Sequence, residues 1–116
     1  MSMTPDLTPL KIKSLHHDYL VNFHANLTDA CQRLQDIPES VCIVDKRVAS
    51  LHAEALSPLL SSRPVLEIDA LESTKTLSGV EQVINWMLEN GCTRSSTVIA
   101  IGGGIIQDVA TFTSHI

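Results

Sequence analysis

Apolar residues along the chain form short continuous runs that alternate with stripes of helical spacing. Val41–Val44, Val65–Ile68 and Thr97–Ile101 are runs typical of strands buried on both faces. The stripes between and after them consist of Val48, Leu51, Ala55, Leu56 and Leu59; of Leu77, Val80, Ile84, Met87 and Leu88; and of Ile105, Ile106, Val109 and Phe112. Such alternation predicts an α/β, Rossmann-like fold with a doubly wound, mainly parallel sheet and helices on both faces.

The pattern before Pro38 is less regular. Residues up to about Leu10 contain two prolines and little periodicity, which predicts a loose lead-in. Further on, strand and helix spacings overlap, and we predict a strand at Tyr19–Phe23 followed by a helix at Leu27–Leu34. Pro58 predicts the approaching end of the helix that begins near Val48. Gly91 similarly predicts the end of the helix that begins near Leu77.

A triple glycine, Gly102–Gly104, joins the strand Thr97–Ile101 directly to the last helical stripe. Glycine permits positive φ and a close approach of the backbone to a ligand. The first N–H groups of a helix lack internal partners and lie at the positive end of its dipole. The loop therefore predicts a pyrophosphate site at the carboxyl edge of the sheet, although a simple tight turn would need the same glycines. Its spacing matches neither GxGxxG nor a P-loop.

Charged residues near strand ends are further candidates for this site. Asp45 ends the strand Val41–Val44, where it would bind ribose hydroxyls or cap the next helix. Asp108 would accept hydrogen bonds from a cofactor or substrate, or would favour the helix dipole by about 0.3–1 kcal/mol. Glu72 and Lys75 follow the strand Val65–Ile68, and the alternative for them is a solvated ion pair.

Composition narrows the class of protein. A chain of 116 residues fits one domain. A net charge of −5 without a Lys/Arg block predicts no nucleic-acid partner and no anionic membrane partner. The apolar runs are far shorter than the roughly 20 residues needed to span a bilayer.

Cysteine and histidine spacings predict neither a disulfide nor a metal site. Cys31, Cys42 and Cys92 are widely spaced without CxxC, and no secretory segment is seen near the first residue, so we expect buried free thiols in a cytoplasmic protein. The five histidines include no HxxxH or HExxH pair. No nucleophile elbow occurs, so we assign neither catalytic residues nor metal ligands to these 116 residues.

Three stretches in order, Leu71–Leu77, Val80–Ile84 and Arg94–Phe112, resemble 3-dehydroquinate synthases. Members of that family show a Glu-x-x-Lys loop, a helix and an Arg-x-Ser-Thr strand before Gly-Gly-Gly-Val-x-Gly-Asp-x-x-Gly-Phe. The resemblance is strong over about residues 41–112. Iron-dependent alcohol and glycerol dehydrogenases share a related architecture, but they normally continue Asp-x-Ala-Lys where this chain has Asp108-Val-Ala-Thr111.

The resemblance implies a two-domain enzyme, with residues 1–116 as its amino-terminal NAD-binding domain. The metal-binding helical domain, with zinc or cobalt, would lie outside this chain, which reaches its last residue inside a predicted helix. The family converts 3-deoxy-D-arabino-heptulosonate 7-phosphate to a carbocycle with release of phosphate, in the shikimate route to aromatic amino acids. Related cyclases act on sedoheptulose 7-phosphate or glucose 6-phosphate. The resemblance also implies a homodimer whose small-molecule partner is a sugar phosphate.

The resemblance also implies roles for individual residues. Asp45 and Glu72 would bind the adenosine ribose with help from Lys75, Gly103 and Gly104 would bind the pyrophosphate, and Asp108 would lie toward the nicotinamide; Gly102, Ile105, Ile106 and Gln107 complete the implied cofactor site. Gln107 and Thr111 replace glycines of the family pattern. Gln107 would crowd the cofactor or reach toward it, and Thr111 would loosen the contact of the helix with the sheet.

Overall fold

The computed structural model describes residues 8–12, 19–69 and 76–114. The elements follow in the order β1 (Leu10–Ile12), β2 (Tyr19–Val21), α1 (Leu27–Leu34), β3 (Ser40–Asp45), α2 (Lys46–Leu51), α3 (Ala53–Ser61), β4 (Val65–Ile68), α4 (Leu77–Glu89), β5 (Thr97–Ile101) and α5 (Gly104–Ser114). In the described ranges, no helix is long and apolar enough to cross a membrane.

Three of the strands form a parallel sheet in the order β4-β3-β5. In its register Cys42 pairs with Val65 on one side and with Ile99 on the other. Because β3 is central, its residues from Ser40 to Val44 are all buried. The continuous apolar run in the sequence is therefore explained by a strand covered on both faces.

Helices cover both faces of this sheet. Successive residues of a strand point to opposite sides, so alternate residues of β3 pack in different clusters. On one face Cys42 and Val44 pack with residues of α1, α2 and α3, including Leu56 and Leu59. On the other face Ile43 packs with residues of α4 and α5. The predicted doubly wound α/β fold is confirmed.

Local hydrogen bonds set the ends of α4. Thr76 precedes the helix, and its hydroxyl accepts the N–H of Gly79 at 3.1 Å. At the other end, Gly91 has φ +74 and donates to the carbonyl of Leu88 at 3.1 Å, and Cys92 donates to that of Met87 at 3.0 Å. These two bonds form a Schellman motif, so the predicted role of Gly91 at the helix end is confirmed.

Two local predictions need correction. A strand not predicted from the sequence, β1, begins at Leu10, the limit of the expected lead-in, and pairs antiparallel with β2, which ends at Val21 rather than Phe23. The helix expected from Val48 begins earlier and is divided at His52, whose φ of −120 and ψ of 30 interrupt it. Pro58 lies inside the last turn of α3, which ends at Ser61, so its predicted position near the end of the helix is confirmed.

All three cysteines are free thiols. Cys31 and Cys42 are buried, as predicted, and both contribute to the core on the α1–α3 side of the sheet. Cys92 is half-buried.

Candidate functional site

The carboxyl edge of the sheet brings together two predicted site residues from distant parts of the chain. Asp45 is the last residue of β3, and Gly102 directly follows β5. Because Val44 pairs with Ile101, the chain leaves both strands at the same level. In open parallel sheets this edge is where ligands bind.

The three loop glycines differ in the space around them. Gly102 has φ +153, and a Cβ added there would lie 2.6 Å from Cγ1 of Ile106. Among the described residues, no atom outside the immediate chain neighbours lies within 4 Å of a Cβ added at Gly103, and the same holds for Gly104 once the backbone of its own helix is set aside; both glycines are exposed. Packing therefore explains the glycine at 102, whereas the other two leave backbone open to an approaching ligand.

α5 begins at Gly104, so its first turn directly follows this open backbone in the chain. The N–H of Gln107 donates to the carbonyl of Gly103 at 3.1 Å, so the N–H groups of residues 104–106 precede this bond. The positive end of the helix dipole coincides with these groups. Ile106 is fully buried, so its side chain belongs to the core and its backbone alone is available to a ligand. Ile105 is half-buried.

Asp45 caps α2. Its Oδ1 accepts the N–H of Arg47 at 2.9 Å, which confirms the capping role considered from the sequence. The side chain is half-buried at the edge of the sheet. Since the cap uses one carboxylate oxygen, the second can accept a hydrogen bond from a hydroxyl group of a ligand. The role of Asp45 toward ribose stays a prediction.

Gln107 turns back over the loop. Its Nε2 donates to the carbonyl of Gly102 at 3.4 Å, and the side chain is exposed. Asp108 is also exposed and lies beyond the first turn of α5, where the helix dipole has little effect. Thr111 is exposed while Val109, Ala110 and Thr113 are buried. It therefore faces away from the sheet, so the expected loosening of α5 does not arise from its side chain.

Two predicted residues, Glu72 and Lys75, lie outside the described residues, as do His16, His17 and His115. Sequence reasoning named Asp45, Glu72 and Asp108 as acids of this site and missed a fourth, Asp69. It follows Ile68, which pairs with Asp45, so it lies at the same edge of the sheet. The rule that selects Asp45, an acid at the carboxyl end of a parallel strand, would have found it.

In the part of the chain that the structure describes, no three His, Cys, Asp or Glu residues are grouped so as to hold a metal ion. A cavity of about 980 Å³ lies beside α1 and is lined in part by Phe23, His24, Asp29 and Arg33. Its described lining includes none of the predicted site residues.

Residues 65–116 match the family described as 3-dehydroquinate synthase N-terminal. The chain is 33% identical over 106 residues to a 3-dehydroquinate synthase of Staphylococcus carnosus, covering 86% of this chain and 29% of the relative. It is 35% identical over 111 residues to one of Streptococcus pneumoniae, covering 89% and 31%. The chain thus spans about three tenths of the length of these relatives.

Among solved structures, the chain resembles 2-deoxy-scyllo-inosose synthase complexed with carbaglucose-6-phosphate, NAD+ and Co2+, with a TM-score of 0.72 and 23% identity. The match covers 94% of this chain and 32% of that one. At this identity the likeness shows the α/β fold.

Proposed function

The chain belongs to the 3-dehydroquinate synthase family, and on that premise we propose that residues 1–116 form its amino-terminal NAD-binding domain. The whole enzyme would convert a heptulosonate 7-phosphate to a carbocycle with release of phosphate, as a carbon–oxygen lyase of the shikimate pathway in the cytoplasm. A second domain, supplied by the part of the enzyme that these residues do not cover, would hold zinc or cobalt. We expect residues 1–116 alone to be inactive and the whole enzyme to be a homodimer.

One observation carries the NAD proposal: Gly103 and Gly104 are exposed and open at the start of α5, where the fold has no need of glycine for packing. Backbone N–H groups at this position fit the pyrophosphate of a dinucleotide. Asp45, at the end of the neighbouring strand, fits the ribose hydroxyls with the oxygen that does not cap α2. The fold relative bound to NAD+ and Co2+ supports the same cofactors in this family.

Bound NAD would supply hydride transfer, and this chain would supply binding and orientation. Gly103, Gly104 and the first turn of α5 would hold the pyrophosphate. Asp45, with Glu72 and Lys75, would hold the adenosine ribose, and the exposed carboxylate of Asp108 would lie toward the nicotinamide. No proton transfer is assigned to these residues, because the metal and the substrate ligands are proposed for the second domain.

Calorimetric titration of the chain with NAD tests the cofactor proposal. We expect the parent to bind NAD. The affinity of Gly103→Val for NAD should be lower by at least about tenfold, because the added side chain fills the open space over the loop. Ser78→Val places the same side chain on the exposed first turn of α4 and should bind like the parent. Circular dichroism should show nearly unchanged helix content in both variants.

A correctly folded parent that shows no binding to NAD would rule out the cofactor role. Equal affinities for the parent and Gly103→Val would show instead that the glycine loop is only a turn.

The substrate is tested on the whole enzyme by phosphate release. The leading proposal expects release from 3-deoxy-D-arabino-heptulosonate 7-phosphate. The alternative is a related cyclase that uses sedoheptulose 7-phosphate or glucose 6-phosphate, and the fold relative bound to carbaglucose-6-phosphate is the observation that favours it. NADH accumulation with glycerol or a simple alcohol, without phosphate release, would instead indicate a glycerol or iron-type alcohol dehydrogenase.

A further inference from the structure

Gln107 donates hydrogen bonds to two successive carbonyl groups of the glycine loop, those of Gly102 and Gly103. Its backbone N–H donates to the carbonyl of Gly103 at 3.1 Å, as in any helix start. Its side-chain Nε2 donates to the carbonyl of Gly102 at 3.4 Å, one residue before the helix cap. The second bond is a feature of the side chain at position 107 and would be absent if that residue were glycine.

The bond to Gly102 restrains the orientation of one peptide plane. In a trans peptide the carbonyl and the N–H point in opposite directions within one plane. When the carbonyl of Gly102 is held toward Gln107, the N–H of Gly103 is directed to the other side. Both residues around this peptide are glycines, so their backbone offers little resistance to a rotation of the plane.

The direction of this plane decides which atom an anion meets. In one orientation the N–H of Gly103 is presented, which attracts a phosphate oxygen. In the flipped orientation the carbonyl oxygen of Gly102 is presented, which repels it. A donor that holds the carbonyl therefore favours the orientation in which the N–H of Gly103 points away from Gln107 and can donate to an anion.

We propose that Gln107 is a positioning residue, whose side-chain amide holds the Gly102–Gly103 peptide so that the N–H of Gly103 faces the pyrophosphate of a bound nucleoside diphosphate. This inference rests on the proposed NAD-binding function. It gives the side chain at position 107 a supporting role toward the loop in place of a direct contact with the cofactor.

Gln107→Met tests the proposal, because Met has a similar length but cannot donate a hydrogen bond. Gln82→Met, at an exposed position of α4, is the matched control. Without ligand, the carbonyl carbon resonance of Gly102 and the amide resonance of Gly103 should shift in Gln107→Met and stay in place in the control. With ligand, ADP should bind about three- to tenfold more weakly to Gln107→Met, as expected for one hydrogen bond. Adenosine, which lacks phosphate, should bind both proteins alike.

Unchanged resonances in Gln107→Met would show that the side chain holds no peptide and would overturn the inference whatever the protein binds. Shifted resonances with equal ADP affinity would overturn the positioning role and leave the NAD proposal intact. Equal weakening of ADP and adenosine would indicate a general disturbance of the site and would also overturn it. A folded parent that binds neither NAD nor ADP would overturn both proposals, and the adenosine titration would show whether any nucleoside contact remains.

Discussion

The Cβ of Asp45 lies 3.1 Å from the point that a Cβ on Gly102 would occupy. All of the chain between β3 and β5, and β5 itself, separates these residues in the sequence, yet they lie close together because the two strands are neighbours in the sheet. The same added Cβ would lie 2.6 Å from Cγ1 of Ile106, which is too close for two carbon atoms. The backbone of the loop thus passes between a residue of the site and a residue of the core.

Gly102→Ala should therefore lower the free energy of unfolding by about 2–4 kcal/mol, through the positive φ and the displacement of Ile106 and Asp45. Gly104→Ala is the matched control: it meets open space at a helical position and should be neutral or stabilising by up to about 1 kcal/mol. Urea denaturation of both variants checks this difference. Equal stabilities would contradict the packing role of Gly102.

The two roles of Asp45 can be separated by substitution. Asp45→Asn keeps a side-chain oxygen for the N–H of Arg47, so the free energy of unfolding should change by less than about 0.5 kcal/mol. Asp45→Ala removes the cap and should cost about 1 kcal/mol. Both should weaken NAD binding, because neither keeps the carboxylate for ribose. Normal NAD affinity in folded Asp45→Asn would show that Asp45 caps α2 but does not bind the ribose.

The core was predictable from the sequence where one strand is covered on both sides. Cys42, Ile43 and Val44 are consecutive, and they alternate between the two hydrophobic clusters. Burial on both faces makes the middle of such a strand, here Val41–Val44, uniformly apolar, so these residues stand out from amphipathic helices. β1 has no such pattern, because three residues are too few to show a period and their order comes from pairing with β2.

The site was predictable only in part, because the roles of its residues depend on contacts between distant segments. Spacing showed that Gly102–Gly104 lie between a strand and a helix, but the contact of Gly102 with Ile106 and Asp45 exists only in the folded chain. The bond from Gln107 to the carbonyl of Gly102 likewise depends on the turn of α5. From the sequence, Gln107 is expected to crowd the cofactor or to reach toward it, whereas in the folded chain its side chain donates to the loop itself.

Arg63 joins elements at the opposite, amino edge of the sheet. Its guanidinium donates to the carbonyl of Leu59 at 2.9 Å, to that of Gln35 at 2.6 Å and to the hydroxyl of Ser40 at 2.6 Å. These bonds link the ends of α1 and α3 to the start of β3. The planar fork of arginine makes them simultaneously, which a lysine ammonium cannot do.

Arg63→Met should thus lower the free energy of unfolding by about 2–4 kcal/mol, and Arg63→Lys should have a smaller effect, because it keeps one donor group. Arg94→Met changes an exposed arginine and should stay within about 0.5 kcal/mol of the parent. Thermal and urea denaturation of the three variants provide the comparison. If Arg63→Met were as stable as Arg94→Met, the network would contribute nothing to folding.

Stability at alkaline pH should report on Cys42. Burial raises the pKa of this thiol from its ordinary value of 9.0 to about 11, although the nearby charge of Arg63 acts in the opposite direction. Between these two values the unfolded chain loses the thiol proton while the folded chain keeps it. The unfolded state then binds fewer protons, so the free energy of unfolding should fall as the pH rises from 9 to 11.

Cys42→Ala removes this titration and should show a smaller fall in stability over that range, even though its cavity lowers stability at pH 8. Val41→Ala is the matched control, because it creates a cavity in the same buried strand without removing a thiol. Its stability should be lower than that of the parent at every pH, with the parent's pH dependence. Urea midpoints at pH 8, 9.5 and 11 give the change of stability with pH for the parent and for each variant. If this change were equal in Cys42→Ala and Val41→Ala, ionisation of the Cys42 thiol would not limit alkaline stability.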